Sequence, residues 1–291
     1  MLAAVNLPGP SIQNGTDPAY IRGGRLYTAW DRVTNLTTPI AQQNPLWPKE
    51  TPNQVPAVLT WRCVNCHGWD YRGSEGKTLG AVFRTMGYPD LFGYTAKPIE
   101  EILPALNGEL NPDHDFTAYL NEEDLKDLAA FLSQGLVVPE LIADPGTFKV
   151  TGMRDNGEDA YFEQCAYCHG TEGEEINLNT DEKPVFLGDV AWGNPWLMVH
   201  TIRFGHIRTV VPAGIRLGLP FSTQIDIAAY AQSLPTADII TGPDYQDIDL
   251  SAQANTAMLA YGAAAVALLV FLAVGITLYL NKKELDQQAL K

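Results

Sequence analysis

The chain is predicted to be mainly α, with two tandem helical domains joined by long loops and followed by a single C-terminal transmembrane helix. Three observations carry this prediction. A Cys-x-x-Cys-His run occurs twice, at Cys63–His67 and Cys165–His169, with an offset of 102 positions in a chain of 291 residues. That offset divides the sequence into two units of a common single-domain size. Residues 257–280 hold no charged side chain, and neither unit shows convincing period-two alternation.

Residues 1–20 form an N-terminal extension. They lack the charged and apolar regions of a secretory signal, so Met1-Leu-Ala-Ala4 reads as the tail of a processed leader. The first domain, 21–140, opens with Gly23-Gly24-Arg-Leu-Tyr27-Thr-Ala-Trp30, a first helix separated from Cys63 by a Pro-rich insertion (Pro39, Pro45, Pro48, Pro52, Pro56). Its last helix begins at Asn121-Glu-Glu-Asp124, a cap with acidic first-turn residues. Leu125, Leu128, Ala129 and Leu132 give that helix its apolar stripe. The second domain, 141–235, repeats the scheme. Gly157 precedes Tyr161 by one helical turn, a small–aromatic spacing that lets helices cross closely. Its terminal helix is expected over Ser222–Pro235, with Thr223 and Asp226 as a capping arrangement and Ile227, Tyr230, Ala231 and Leu234 on one face.

Residues 236–255 form an acidic linker. The segment 256–281 is long enough to span a bilayer, for which about 20 apolar residues suffice. Ala260 with Ala264, and Ala263 with Ala267, offer small-residue pairs for helix packing. Lys282 and Lys283 put the tail, 282–291, on the cytoplasmic side by the positive-inside rule. The formal charge is −15. Such a field repels nucleic acid and anionic lipid and favours partners with basic docking surfaces.

The two Cys-x-x-Cys-His runs use every cysteine of the chain. This is the attachment signature of c-type haem: Cys63, Cys66, Cys165 and Cys168 form thioethers, and His67 and His169 are proximal iron ligands. The expected cofactors are therefore two covalently bound haem c groups. A four-cysteine zinc site has the right ligand count. It leaves the histidine after each second cysteine unexplained and requires the two runs to converge.

The segments RGGRLYTAW, TWRCVNCHGWDYRG, HDFTAYLNEEDLKDLAAFL and NPWLMVHTIRFGH resemble exported bacterial dihaem cytochromes c, over about residues 20–235. The resemblance implies two fused class I-like cytochrome c domains facing the periplasm or exterior of a bacterial inner membrane. Each is expected to have a short helix before the haem motif, a distal ligand on a later loop and a terminal helix crossing the first.

Distal ligation decides the mechanism, because an iron with two strong protein ligands only passes electrons. For the first haem the candidate is His114, seven residues before the Asn121 cap, with Met86 as competitor. For the second, related sequences place a Met-Pro pair where this chain has Val211-Pro212. His206 is the nearest replacement, with His200 as the alternative; Met198 or an open site are further options. Arg62, Arg203 and Arg208 are placed to neutralise haem propionates, and Trp61, Trp69, Trp192 and Trp196 to pack on the porphyrins. The leading functional expectation is a membrane-anchored, non-enzymatic carrier. It moves single electrons between a respiratory or photosynthetic membrane complex and another redox protein, or works as a subunit of that complex. The alternative is a peroxidase-like dihaem enzyme with one openable iron.

Overall fold

A computed structural model describes residues 18–49, 55–180, 182–207 and 211–237. The predicted membrane span and tail, the linker from residue 238 on, Arg208 and the first seventeen residues lie outside these. Among the described residues no helix is long and apolar enough to cross a membrane.

The described part is helical, with no named strand and three isolated bridges. Helix α1 spans Ala19–Val33 and is kinked at Ala29, whose φ and ψ leave the helical region. It crosses α2, Glu122–Gln134. The crossing is close because Gly23 lies on the backbone of α2: a Cβ there would meet the Asp127 carbonyl and come within 2.7 Å of Phe131 Cβ. Helix α2 starts with the predicted cap. Asn121 Oδ1 accepts from Asp124 N and Asp124 Oδ2 accepts from Asn121 N, closing a capping box. Its carboxylates also fasten the crossing, since Arg22 pairs with Asp124 and, at 2.7 Å, with Asp127.

The second half repeats this pair. Helix α3, Arg154–Gln164, crosses α6, Phe221–Ala231, and Gly157 lies on the α6 backbone at Asp226 and Ile227. Between them run α4, Leu187–Gly193, and α5, Pro195–Phe204. The cap expected at Thr223 and Asp226 is not formed. Pro220 precedes the first turn, and Asp226 Oδ1 instead accepts from Met153 N at 2.7 Å, tying the start of α3 to α6. The helix is also shorter than predicted, ending at Ala231. Leu234, beyond it, is nevertheless buried with Ile227, Tyr230 and Ala231.

The predicted boundary at 140 does not separate two cores. Phe204 and Ala213 of the second half belong to the same buried cluster as Tyr27, Trp30, Trp61, Leu128 and Phe131 of the first. Gly24 makes this possible, because any Cβ there would overlap the Phe204 ring. Arg25 Nε also donates to the Phe204 carbonyl at 2.6 Å. Helix α1 is thus shared, packing on α2 with one face and on the end of α5 with another.

Candidate functional site

Two sites built on one plan follow from the helix pairs. In the first, residues Cys63–His67 form one short helix that ends at Gly68, φ +74°. Tyr27, one turn after Gly23 on α1, donates its hydroxyl to the Gly68 carbonyl at 2.5 Å. In the second, Ala166–His169 end at Gly170, φ +78°. Tyr161, one turn after Gly157 on α3, donates to the Gly170 carbonyl at 2.7 Å. Each tyrosine also packs on an aromatic ring of the crossing helix, Tyr27 on Phe131 at 5.2 Å and Tyr161 on Tyr230 at 5.0 Å. A left-handed glycine is required after each histidine because the chain must leave the short helix with positive φ. The Gly-x-x-x-Tyr spacing supplies the hydroxyl that pins it.

At the first site the structure brings His67 and His114 together, although 47 positions separate them. Their ring centres are 6.3 Å apart and their planes nearly perpendicular, at 86°. Two metal–imidazole bonds of about 2 Å, plus about 1 Å from each nitrogen to its ring centre, span roughly 6 Å. The spacing is that of two imidazoles sharing one metal ion. The tautomers agree with it. His67 Nδ1 lies 3.1 Å from the Pro89 carbonyl and His114 Nδ1 2.7 Å from the Ala105 carbonyl. A carbonyl only accepts, so each Nδ1 carries the proton and each Nε2 keeps its lone pair. The His114 loop is held by the bridge between Asn107 and Asp115 and by the bond from Phe116 N to the Leu106 carbonyl.

Burial keeps both rings neutral. It pushes His67 down to about 4, with His114 as the next cause, and lowers His114 as well. Burial also raises the Cys63 thiol to about 12 and the Cys66 thiol to about 11. Met86, the competing ligand, is 38% exposed at the surface.

The second site has the same pieces in a looser setting. Burial lowers His169 to about 4, and His206 is the neighbouring charge that adds to this. The histidines lie within electrostatic reach of each other. His206 is itself lowered, first by burial and then by Arg32 of α1. His169 Nδ1 is buried without a hydrogen-bond partner, so the Pro89 contact of the first site has no counterpart. Cys165 is half-buried and raised to about 11 by burial, whereas Cys168 is exposed.

His200, the alternative distal ligand, is used elsewhere. Its Nε2 lies 3.0 Å from the Gly24 carbonyl and 3.0 Å from Thr28 Oγ1, and its Nδ1 lies 2.6 Å from the Tyr71 hydroxyl. Both ring nitrogens are engaged by protein groups deep in the shared core. Met198, on α5, is buried.

Arg62, a proposed propionate partner, makes a bidentate pair with Asp31 at 2.9 Å for both contacts. Arg203 is buried between the rings of Phe204 and Phe221, and its Nε has no partner. Trp196 is fully buried, bonded to the Pro139 carbonyl and packed on Phe148. Sequence reading missed the Pro89 and Ala105 carbonyls, which orient the two histidines. Backbone acceptors carry no side-chain signature, so no pattern could have found them.

Among the described residues no three His, Cys, Asp or Glu side chains are grouped to hold a metal ion. The two cysteine pairs therefore do not converge on a zinc-type site. The first site instead offers two thiols on one short helix and two neighbouring neutral imidazoles, which fits a haem.

Residues 55–135 match the family model of cytochrome c. Over these residues the chain is similar to a cytochrome c domain. The match runs from before Cys63 to the end of α2 and includes His67 and His114. Such a domain holds covalently bound haem c, and the match suggests electron transfer. The chain matches no curated protein and no solved structure.

Proposed function

We propose that the protein is a membrane-anchored dihaem c-type cytochrome that carries single electrons. In this reading Cys63 and Cys66 hold the first haem, with His67 and His114 as iron ligands. Cys165 and Cys168 hold the second, with His169 and His206. The observation that carries the first assignment is the 6.3 Å approach of the His67 and His114 rings, with each Nδ1 on a backbone carbonyl and so each Nε2 unprotonated. The second rests on the repeated scheme of glycine crossing, pinning tyrosine and left-handed glycine around Cys165–His169.

Haem, when bound, supplies the one-electron couple of its iron. The chain's own work would be to supply two imidazole ligands to each iron, exclude water and fix the ring orientations. Burial disfavours protonation of His67 and His114, so the imidazoles stay available to iron at physiological pH. Two nitrogen ligands favour a lower potential than a nitrogen–thioether pair. The uncharged run 257–280 would hold the protein at an inner membrane, with the haem-bearing part outside the cytoplasm. The acidic balance favours a redox partner with a basic face.

The test is a haem count per chain with electron paramagnetic resonance of the oxidised protein. Two haems are expected, one lost with Cys63→Ala/Cys66→Ala and the other with Cys165→Ala/Cys168→Ala, both irons low-spin and indifferent to carbon monoxide. A single haem per chain would refute the dihaem reading. A high-spin iron that binds carbon monoxide and reacts with peroxide would move the peroxidase-like enzyme to the front. Removal of residues 256–291 should release the protein from membranes.

A further inference from the structure

We propose that His200, carried by the second half of the chain, is a positioning residue for the iron ligand His67 of the first half, acting through Tyr71. The inference rests on His67 ligating the first haem iron.

The path is a chain of short contacts. His200 Nε2 faces the Gly24 carbonyl, which only accepts, so Nε2 carries the ring proton and donates it there. Nδ1 is then an acceptor, and the Tyr71 hydroxyl donates to it at 2.6 Å. Tyr71 has φ +59°, a conformation that a tyrosine rarely adopts and that the surrounding structure must hold in place. Its carbonyl accepts from Leu91 N at 2.9 Å. That bond fixes the Pro89–Leu91 segment, and the Pro89 carbonyl accepts from His67 Nδ1 at 3.1 Å. The His200 ring also stands edge-on to Trp69, two residues after His67, at 5.3 Å.

The segment following His67 is therefore clamped at Trp69 and at Tyr71 by one side chain of α5. That side chain is 3% exposed and is itself anchored on α1. None of these contacts is needed to close the first half on its own helices. Tyr27 already pins Gly68 from α1, and Phe131 of α2 packs on Tyr71 at 5.8 Å. The second half thus reaches the acceptor that sets the basicity of the first iron's proximal ligand. A carbonyl held firmly on Nδ1–H makes the imidazole a stronger donor and favours the oxidised iron. Loosening it shifts the potential upward.

The experiment is a potentiometric titration followed by electron paramagnetic resonance on the haem-loaded full chain. The two signals are assigned with Cys165→Ala/Cys168→Ala, which keeps only the first haem. Variants are His200→Leu, His200→Asn, His200→Gln and Tyr71→Phe. Asparagine keeps an acceptor near the Nδ1 position, whereas glutamine reaches toward Gly24. The expected result is an upward shift of the first haem's potential, with altered g-values, in the leucine, glutamine and Tyr71→Phe variants. Restoration toward wild type is expected in the asparagine variant, and Tyr71→Phe should leave the second haem unmoved.

Tyr71→Phe removes one oxygen and decides the matter if His200→Leu does not fold. An unchanged potential in Tyr71→Phe overturns the proposal, as does rescue by glutamine but not asparagine. A wild-type chain that carries no haem at Cys63 and Cys66 overturns instead the reading on which it rests.

Discussion

Gly157→Ala tests whether the second half is organised by the same close helix crossing as the first. A Cβ at Gly157 would overlap the Asp226 carbonyl and come within 2.8 Å of Ile227 N. Both obstacles are backbone of α6, so no side chain can swing aside and the helices must separate. In an open helix the same substitution would gain up to about 1 kcal/mol of propensity. Overpacking a tight interface costs about 1–3 kcal/mol, and more where the backbone must move. Separation also loosens Tyr161 on Tyr230 and the Tyr161 bond to Gly170, a further loss of about 1 kcal/mol. The net expectation is a destabilisation of about 1–4 kcal/mol. Gly93→Ala is the control, since a Cβ there meets nothing within 4 Å and φ is not positive; it should lie within about 0.5 kcal/mol of wild type. Urea unfolding of the haem-loaded protein, followed by circular dichroism and the haem band, measures both. The reasoning fails if Gly157→Ala is as stable as Gly93→Ala.

Other outcomes follow from single contacts. Burial holds His200 at about 3 when folded against an ordinary 6.5, so the unfolded chain binds a proton that the folded chain refuses. Its contribution to stability is fully present above about pH 6.5 and falls by about 1.4 kcal/mol per pH unit as the pH drops toward 3. His200→Gln should therefore flatten the acid limb of a stability–pH profile by one proton; an identical limb would contradict the assigned burial. Arg62→Met leaves Asp31 without its partner in a nearly buried site and should cost about 3–5 kcal/mol, while adding Asp31→Leu should recover most of it; a double-mutant cycle reads the difference. Tyr27→Phe and Tyr161→Phe each remove the donor that pins a left-handed glycine and should cost about 1–3 kcal/mol. Thermal unfolding measures the two losses, and a loss for Tyr27 alone would separate the two sites.

The parts of the fold legible in sequence were those whose residues act through local spacing. The glycine four positions before a tyrosine, the Asn121–Asp124 cap and the apolar stripe of α2 depend on intervals within one helix, and all three formed. The Thr223–Asp226 cap failed because Asp226 found a tertiary donor, Met153 N, 73 positions away. Packing across residue 140 has the same cause at larger scale, with Phe204 and Ala213 joining the buried cluster of the first half. Gly24 reads like any helix glycine until Phe204 is known to lie on it. His114 is proposed from its distance before a cap, and its loop closes on itself through Asn107 and Asp115. The contacts of His200 were beyond reach because Gly24, Thr28 and Tyr71 are more than 100 positions distant.

That shared core bears on what the second half contributes. Had it been a separate bead, its Cys-x-x-Cys-His segment could be altered without consequence for the first. Instead α5 inserts His200 and Phe204 beside Tyr27 and Phe131, while Arg25 of α1 binds the carbonyl of Phe204, two residues before His206. Helix α1 therefore touches the first motif through Tyr27 and the approach to the second histidine pair through Arg25 and Arg32. An element common to both motifs constrains their separation and orientation, on which electron exchange would depend in the proposed dihaem reading. Helix α1 thus ties both Cys-x-x-Cys-His segments to one packed core.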